Sequence, residues 1–363
     1  MTSKPKITIT EVARAAGVSV GTVSRVFNNR SDVNAGIREK VWATANRLGY
    51  QRIRQRRNSG PAAGEGLPTG TGDIGIVFFG MEDTLVQLPI ISYAVQGIES
   101  RLSTLGRSLL LANIPAANRI PHFIGEGRVK GLILKGPNQG ELPSASQVEL
   151  IRACYSLPHI WLMGRLPGAK GDHANFDTDI AARLAAEHLH AKGHRRVGFL
   201  NPKPGQNQFE RLKSSFLFSA QRLGMEASLL EYAPRANATW PLPATTSQDA
   251  VAELCTRWAQ ARPSERPTAL FIPSDRTAVQ VYSTVKQLGI RIGTELSLIS
   301  CNNERALIGI LHPDLTTIDV HADIIGQRAV DQLLWRIEHP ADPHPVQVLV
   351  EPSLVERHSV AQL

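Results

Sequence analysis

Cysteine is scarce in this chain: Cys154, Cys255 and Cys301 are the only three in 363 residues, odd in number and far apart. That excludes a disulfide framework and a cysteine zinc site, and three buried thiols suit a reducing compartment. No apolar run approaches the roughly 20 residues that span a bilayer. The opening MTSKPKITIT has no apolar stretch of the kind a secretory signal needs, so the expected location is the cytoplasm. Catalytic signatures are missing as well: there is no Walker glycine loop, no nucleophile elbow, and no dinucleotide-binding glycine fingerprint after Ile74. Histidines form no metal-ligating pair. His188 and His190 lie two apart on a predicted helix and face different ways, while His122, His159, His173, His312, His321 and His339 stand alone and read as surface or internally satisfied side chains. No metal, no cofactor and no enzymatic activity are expected.

What the chain does have is charge in one place. Residues 1–57 hold twelve Lys and Arg against three acids, a net of +9, whereas the whole chain carries only +8 and the remainder is therefore close to neutral. A polyanion-binding footprint on one short segment is the direct reading, and a basic face that serves only solubility is the alternative. With 42% hydrophobic and 20% charged residues the chain is of globular type, and its length calls for more than one domain.

The first fifty residues read as three capped helices. Thr8 followed by Glu11 is a capping box, with Ile7 and Val12 at the positions of a hydrophobic staple. This helix carries Val12, Ala13, Ala15 and Ala16 and stops at Gly17, which tolerates the left-handed conformation that ends a helix. Ser19 caps the next helix after a single intervening residue, with Val18 and Val23 as a second staple, and so tight a corner makes a helix-turn-helix. In the second helix Val23, Val26 and Phe27 face inward, leaving Val20, Gly21, Thr22, Ser24 and Arg25 on the remaining surface. A third helix from Asn34 presents Ile37, Val41, Ala45 and Leu48 as its inward stripe and ends at Gly49.

The string from Ile9 to Asn28 (Val12, Ala13, Ala16, Gly17, Val18, Ser19, Thr22, Val23, Ser24, Arg25, Asn28), followed by Lys40, Val41, Ala45, Leu48, Gly49 and Tyr50, resembles the lactose/galactose repressor (LacI/GalR) family of bacterial regulators. The resemblance implies that Val20, Gly21 and Arg25 read base edges in the major groove of a double-stranded operator, and that Thr8, Ser19, Thr22, Ser24 and Asn28 hold phosphates. Val20 and Gly21 carry no side-chain donors, so readout there rests on methyl contact or close backbone approach. The chain then departs from the family. After Tyr50 the usual hinge helix ends in a leucine that wedges into the minor groove; here Arg52, Ile53, Arg56, Arg57 and Ser59 stand in the pattern, and only one arginine survives. Ser59 is no apolar wedge. Arg52, Arg54, Arg56 and Arg57 are instead expected to track phosphates, or else to form a plain basic tether, ahead of the Gly/Pro-rich stretch GPAAGEGLPTGTGD at 60–73.

From Ile74 short apolar runs alternate with amphipathic helical stretches, which predicts parallel sheets covered by helices, in two units with the second beginning at Arg196. The expected organisation is a headpiece with basic hinge (1–58), a linker (59–73) and an effector and dimerisation domain (74–363), that is, an all-α headpiece joined to an α/β domain of two parallel-sheet subdomains. The family resemblance continues here through Val129 to Ile133, Asp177, His188, Leu189, Gly193 to Phe199, Arg211, Asp275, Leu288, Gly289 and Leu315 to Thr317. It implies a fold like the periplasmic sugar-binding proteins, a homodimer on a near-palindromic operator, and effector contacts at Gly164, Arg165, Arg211, Ser274 and Asn302. At Gly164, Ser274 and Asn302 the family usually has Asp, Asn and Asp, and a carboxylate accepts from sugar hydroxyls where Asn offers one acceptor and two donors. An effector bearing its own acceptors or negative charge beside Arg165 and Arg211 is the expectation. The alternatives are a regulator with lost or altered sensing, a sugar-acting enzyme, and a free-standing sugar binder.

Overall fold

The computed structural model describes residues 8–27, 34–48, 72–81, 89–232 and 248–363, and of Phe27, Ala35 and Asn46 only the backbone. The expectations placed on Ile7, the Phe27 side chain, Asn28, Gly49, Tyr50, Arg52, Ile53, Arg54, Arg56, Arg57, Ser59 and residues 60–71 lie outside the described residues. The chain divides into two compact units, Met1–Leu67 and Pro68–Leu363.

The first unit contains α1 (Ile9–Ala16), α2 (Val20–Phe27) and α3 (Ala35–Leu48). Each start has a local cause. The Thr8 hydroxyl accepts the Glu11 N–H at 3.3 Å while the Glu11 carboxylate accepts the Thr8 N–H at 2.7 Å, a closed capping box. Ser19 Oγ accepts the Thr22 N–H at 3.0 Å, and Asn34 Oδ1 accepts the Gly36 N–H at 2.9 Å. Gly17 ends α1 at φ 66°, and Val18 N–H returns to the Ala13 carbonyl at 3.1 Å, so the corner between α1 and α2 is built from backbone alone. Val12, Ala13, Ala16, Val23, Val26, Val41 and Ala45 form the core, with Ile9, Val18 and Leu48 packed at its edge. One inward assignment is corrected: Ile37 is 38% exposed, because the stripe of α3 runs off this small core one turn before Val41.

The second unit holds two six-stranded sheets with helices between their strands, among them α5 (His122–Gly125), α6 (Glu149–Tyr155), α9 (Gln248–Gln260) and α11 (Arg305–Ile308). In the first, β1 (Asp73–Phe79), β2 (Leu109–Ile114), β3 (Val129–Lys135), β4 (His159–Leu162) and β5 (Asp172–Phe176) run in the order β2-β1-β3-β4-β5. In the second, β6 (Arg196–Asn201), β7 (Glu226–Glu231), β8 (Ala269–Phe271), β9 (Ser297–Asn302) and β10 (Thr316–Asp319) repeat that order as β7-β6-β8-β9-β10. All these pairings are parallel, as near-continuous apolar strands such as IGIVFF demand.

The two sheets of this second unit are not built from consecutive blocks of chain, which corrects the simple restart at Arg196. Among the described residues the chain crosses between the sheets three times: from β5 into α7 (Thr178–Ala191), from β10 into α12 (Ala322–Glu338), and from β11 (Gln347–Val350) into β12 (Ser353–Val355). β11 adds to β5, and β12 adds antiparallel to β10. α12 belongs to the first sheet, where it packs on α4 (Pro89–Thr104) so closely that a Cβ on Gly97 would stand 1.9 Å from the Asp323 carbonyl oxygen, and one on Gly326 would stand 2.0 Å from that of Ala94. Only hydrogen fits at that crossing. Arg336 of α12 also grips Asp172 of β5 at 2.7 Å, and Gln332 adds a bond to the same carboxylate at 2.8 Å. This pairing holds the Asp172 carboxyl below the usual carboxylate range against the opposing effect of burial.

Candidate functional site

On α2 the outward set is as its periodicity demands: Val20 is 43% exposed, Gly21 and Arg25 are exposed, and Thr22 and Ser24 are half-buried. The buried Val23 and Val26 fix the rotation of the helix that presents them. Gly21 has helical backbone, and a Cβ there would meet only Ser19 Oγ at 3.7 Å, so its lack of a side chain leaves the backbone bare for close approach rather than relieving a clash. Thr8 and Ser19 are exposed but their hydroxyls are engaged: the Thr8 hydroxyl donates to Glu11 at 2.9 Å and Ser19 Oγ pairs with Thr22 Oγ1 at 2.8 Å. The Thr8 N–H and hydroxyl also keep the Glu11 carboxyl below its ordinary pKa, so that acid stays ionised at the start of α1.

In the second unit the expected effector residues sit at the carboxyl ends of strands and on the first turns of α8 (Asn207–Arg222), where doubly wound sheets bind ligands. They fall into two groups. Gly164 and Arg165 follow β4 through two successive left-handed residues, Met163 at φ 51° and Gly164 at φ 114°. A Cβ on Gly164 would stand 2.9 Å from Asn138 Oδ1, so no larger residue fits without displacing Asn138. Arg165 donates to the Gly171 carbonyl at 2.5 Å, and Arg211 is exposed on α8. Both guanidiniums act on one buried imidazole, that of His173: burial first, then Arg165 and Arg211, hold its pKa down to about 4, and Asp172 opposes them weakly. The ring is neutral at physiological pH.

Ser274 and Asn302 form the other group, at the ends of the neighbouring strands β8 and β9. Ser274 Oγ caps α10 (Asp275–Gln287), accepting the Thr277 N–H at 3.3 Å. Asn302 and Asn303 are also left-handed, at φ 122° and 56°, and Asn302 donates to Glu304 at 2.8 Å. Backbone strain thus marks the mouth of both sheets. Among the described residues no hydrogen bond joins this second group to Arg165 or Arg211.

Three residues at this junction were not assigned to a site from the sequence. His173 is neither a surface nor a satisfied histidine, which corrects that expectation: it is 4% exposed and its Nδ1 has no partner. Asn175, two residues on along β5, is 5% exposed and donates to Gln208 Oε1 of α8 at 3.2 Å, across the junction of the two sheets. Asn207 donates its N–H to the Asn138 carbonyl at 2.7 Å across the same junction. The alternation in DHANF, polar His and Asn against apolar Ala and Phe, was the signal available. The three cysteines are free and buried, no metal-binding group of His, Cys, Asp and Glu exists among the described residues, and no described helix is long and apolar enough to cross a membrane.

Comparison with known proteins matches residues 8–52 to the family described as bacterial regulatory proteins, lacI family, and residues 186–360 to the periplasmic binding protein-like domain. The HTH-type transcriptional regulator MalR of Streptomyces coelicolor is 29% identical over 364 residues, covering 97% of this chain and 96% of that protein. Among solved structures, a transcriptional regulator CelR–cellobiose complex aligns with a TM-score of 0.61 at 20% identity, over 98% of this chain and all of that one. The lac repressor dimer bound to operator and the anti-inducer ONPF aligns with a TM-score of 0.60 at 24% identity, over the same shares.

Proposed function

The chain belongs to the LacI family of DNA-binding transcriptional regulators, and on that footing we propose that it is a cytoplasmic repressor without enzymatic activity, which binds a near-palindromic operator as a homodimer under the control of a small carbohydrate-like effector. The observation that carries the reading is the α1–α2 corner. A helix capped by Ser19 and rotated by the buried Val23 and Val26 presents Val20, Gly21 and Arg25 on its open side. These are the groups for base edges, and Arg25 can make the bidentate contact to guanine that discriminates by about 1–3 kcal/mol. Thr8, Ser19, Thr22, Ser24 and Asn28 are assigned to phosphates; the two cap hydroxyls must then exchange or share their present bonds on DNA.

Arg52, Arg54, Arg56 and Arg57 supply a phosphate-tracking arm between headpiece and linker, within the division 1–58, 59–73 and 74–363. A two-fold dimer matches two half-sites, as such proteins require. The effector is assigned to the strand ends that carry the two groups, Gly164, Arg165 and Arg211 on one side and Ser274 and Asn302 on the other, and the likeness to a regulator solved with cellobiose supports a carbohydrate-like molecule there.

Selection of bound sequences from a random duplex pool by the full-length protein tests this reading. A palindromic sequence should emerge, and Arg25→Ala should weaken its binding far more than binding to random DNA. No enrichment at modest ionic strength overturns the assignment.

A further inference from the structure

Nine buried side-chain nitrogen or oxygen atoms among the described residues have no hydrogen-bond partner, and four of them belong to two facing elements: His173 Nδ1 and Asn175 Oδ1 on β5, Asn207 Nδ2 and Gln208 Nε2 on α8. An unmade bond to a buried polar atom costs about 1–3 kcal/mol, so four at one junction call for a cause. His173 and Asn175 share one face of β5, since they are two apart, while Ala174 and Phe176 on the other face are core residues. The Asn175 to Gln208 bond shows that this face meets the start of α8. Arg165, which follows β4 and donates to the Gly171 carbonyl, and Arg211 of α8 both act electrostatically on His173, and among the described residues neither forms an ion pair with a carboxylate. The group therefore offers two donor amides, one acceptor amide, a neutral imidazole and two guanidiniums.

Building on the effector reading above, we propose that this β5–α8 junction is the specificity-determining part of the effector site, and that it selects a polyhydroxylated acid, a sugar carboxylate or sugar phosphate, over a neutral sugar. Arg165 and Arg211 take the acid group, for which guanidiniums have matching paired donors. Asn175 Oδ1 accepts from a ligand hydroxyl, Asn207 and Gln208 donate to ligand oxygens, and His173, kept neutral, can serve in either sense according to its tautomer. Because β5 and α8 stand on different sheets, a ligand held by both ties the two lobes together.

The test uses full-length protein, with calorimetry and thermal shift against glucose, ribose, glucuronate, glucose 6-phosphate and ribose 5-phosphate. The acids should bind and raise the melting temperature, and the neutral sugars should bind at least tenfold more weakly. Comparing glucuronate with the two phosphate esters identifies which acid group is preferred. Arg211→Ala, at an exposed position, should weaken acid binding at least tenfold, Arg211→Lys less so, and Asn175→Ala should weaken acid and neutral forms alike. The proposal is overturned if neutral sugars bind as well as the acids, if acid binding survives in an Arg165→Ala/Arg211→Ala double variant, or if none of the five compounds binds. Duplex selection with the same preparation separates the outcomes: an enriched operator with no acid binding leaves the regulator standing and removes only this proposal.

Discussion

Two glycines four positions apart in the sequence, Gly17 and Gly21, separate folding from recognition. Gly17 sits at φ +66° with open space around its would-be Cβ, whose nearest neighbour is Lys40 Nζ at 3.9 Å. Gly17→Ala thus incurs only the left-handed backbone penalty, about 1–2 kcal/mol. For a unit of roughly 60 residues each kcal/mol lowers the melting temperature by about 4–8 °C. Gly21 is helical and exposed, and its added methyl would touch nothing closer than Ser19 Oγ at 3.7 Å. Gly21→Ala should leave the fold intact or gain up to about 0.5–1 kcal/mol of helix stability.

Recognition runs the other way. Gly17→Ala leaves the α2 surface unchanged, so the preferred operator should be the same sequence, bound more weakly only near the headpiece melt. Gly21→Ala puts a methyl on the face assigned to base edges and should change the selected base at one position of each half-site, by about 1–3 kcal/mol, or roughly 5- to 150-fold. Calorimetric melting of both full-length variants, with duplex selection on each, reads both axes. If Gly21→Ala selects the parent sequence with parent affinity, α2 does not approach bases there and the reasoning fails.

Replacing Arg52, Arg54, Arg56 and Arg57 together with Ala should reduce the slope of log affinity against log salt by about three to four, at about 0.9 per phosphate contact; an unchanged slope refutes the phosphate-tracking arm. Gly326→Ala should destabilise the second unit by several kcal/mol, roughly, since overpacking costs about 1–3 kcal/mol or more and the new Cβ would stand 2.0 Å from the Ala94 carbonyl oxygen; urea unfolding checks it, and parent-like stability would mean α4 and α12 can slide apart. His194 is 1% exposed, and burial holds its pKa down to about 4 from an ordinary 6.5. A depressed histidine contributes stability that is complete above pH 6.5 and lost as the pH falls toward 4, here on the order of 3 kcal/mol. Urea unfolding at pH 7.5, 6, 5 and 4.5 should show His194→Asn losing less stability over that range than the parent, and parallel losses would count against the assignment.

The headpiece was legible almost residue by residue because its boundaries are written locally. Thr8 with Glu11, Gly17, Ser19 and Asn34 each stop or start a helix through bonds to residues within five positions. Ile37 escaped because exposure at the end of a stripe depends on how far the other two helices reach, which no local pattern records. In the larger unit β1, β2, β3, β4, β6, β8 and β9 were plain as apolar runs, but β5, β7 and β10 were not. DHANF carries a polar face toward the lobe junction, and its Asp172 is neutralised by Arg336, 164 residues away. The C-terminal α12 and β11 completing the first sheet were hidden for the same reason: their partners are set by three crossings of the chain, and periodicity says which face is buried but never against what.

Those crossings also constrain how an effector can act. The lobes are already bonded at two places, by Asn207 to Asn138 and Asn175 to Gln208 near β5, and by the Ile90 N–H to Glu304 at 3.2 Å at the start of α4. A ligand that merely filled the junction would change nothing downstream, since a molecule bound equally well by two arrangements shifts neither. The β5–α8 group is suited to make that difference because its unpartnered atoms lie on both lobes: bringing the lobes together around a ligand gives all four a ligand partner, and parting them returns two on each side to water. The differential is then set by bonds made only in the closed arrangement, at about 0.5–1.5 kcal/mol for each neutral one and more for the guanidinium contacts. On that accounting the acid group, rather than the hydroxyls, decides how far the effector moves the equilibrium.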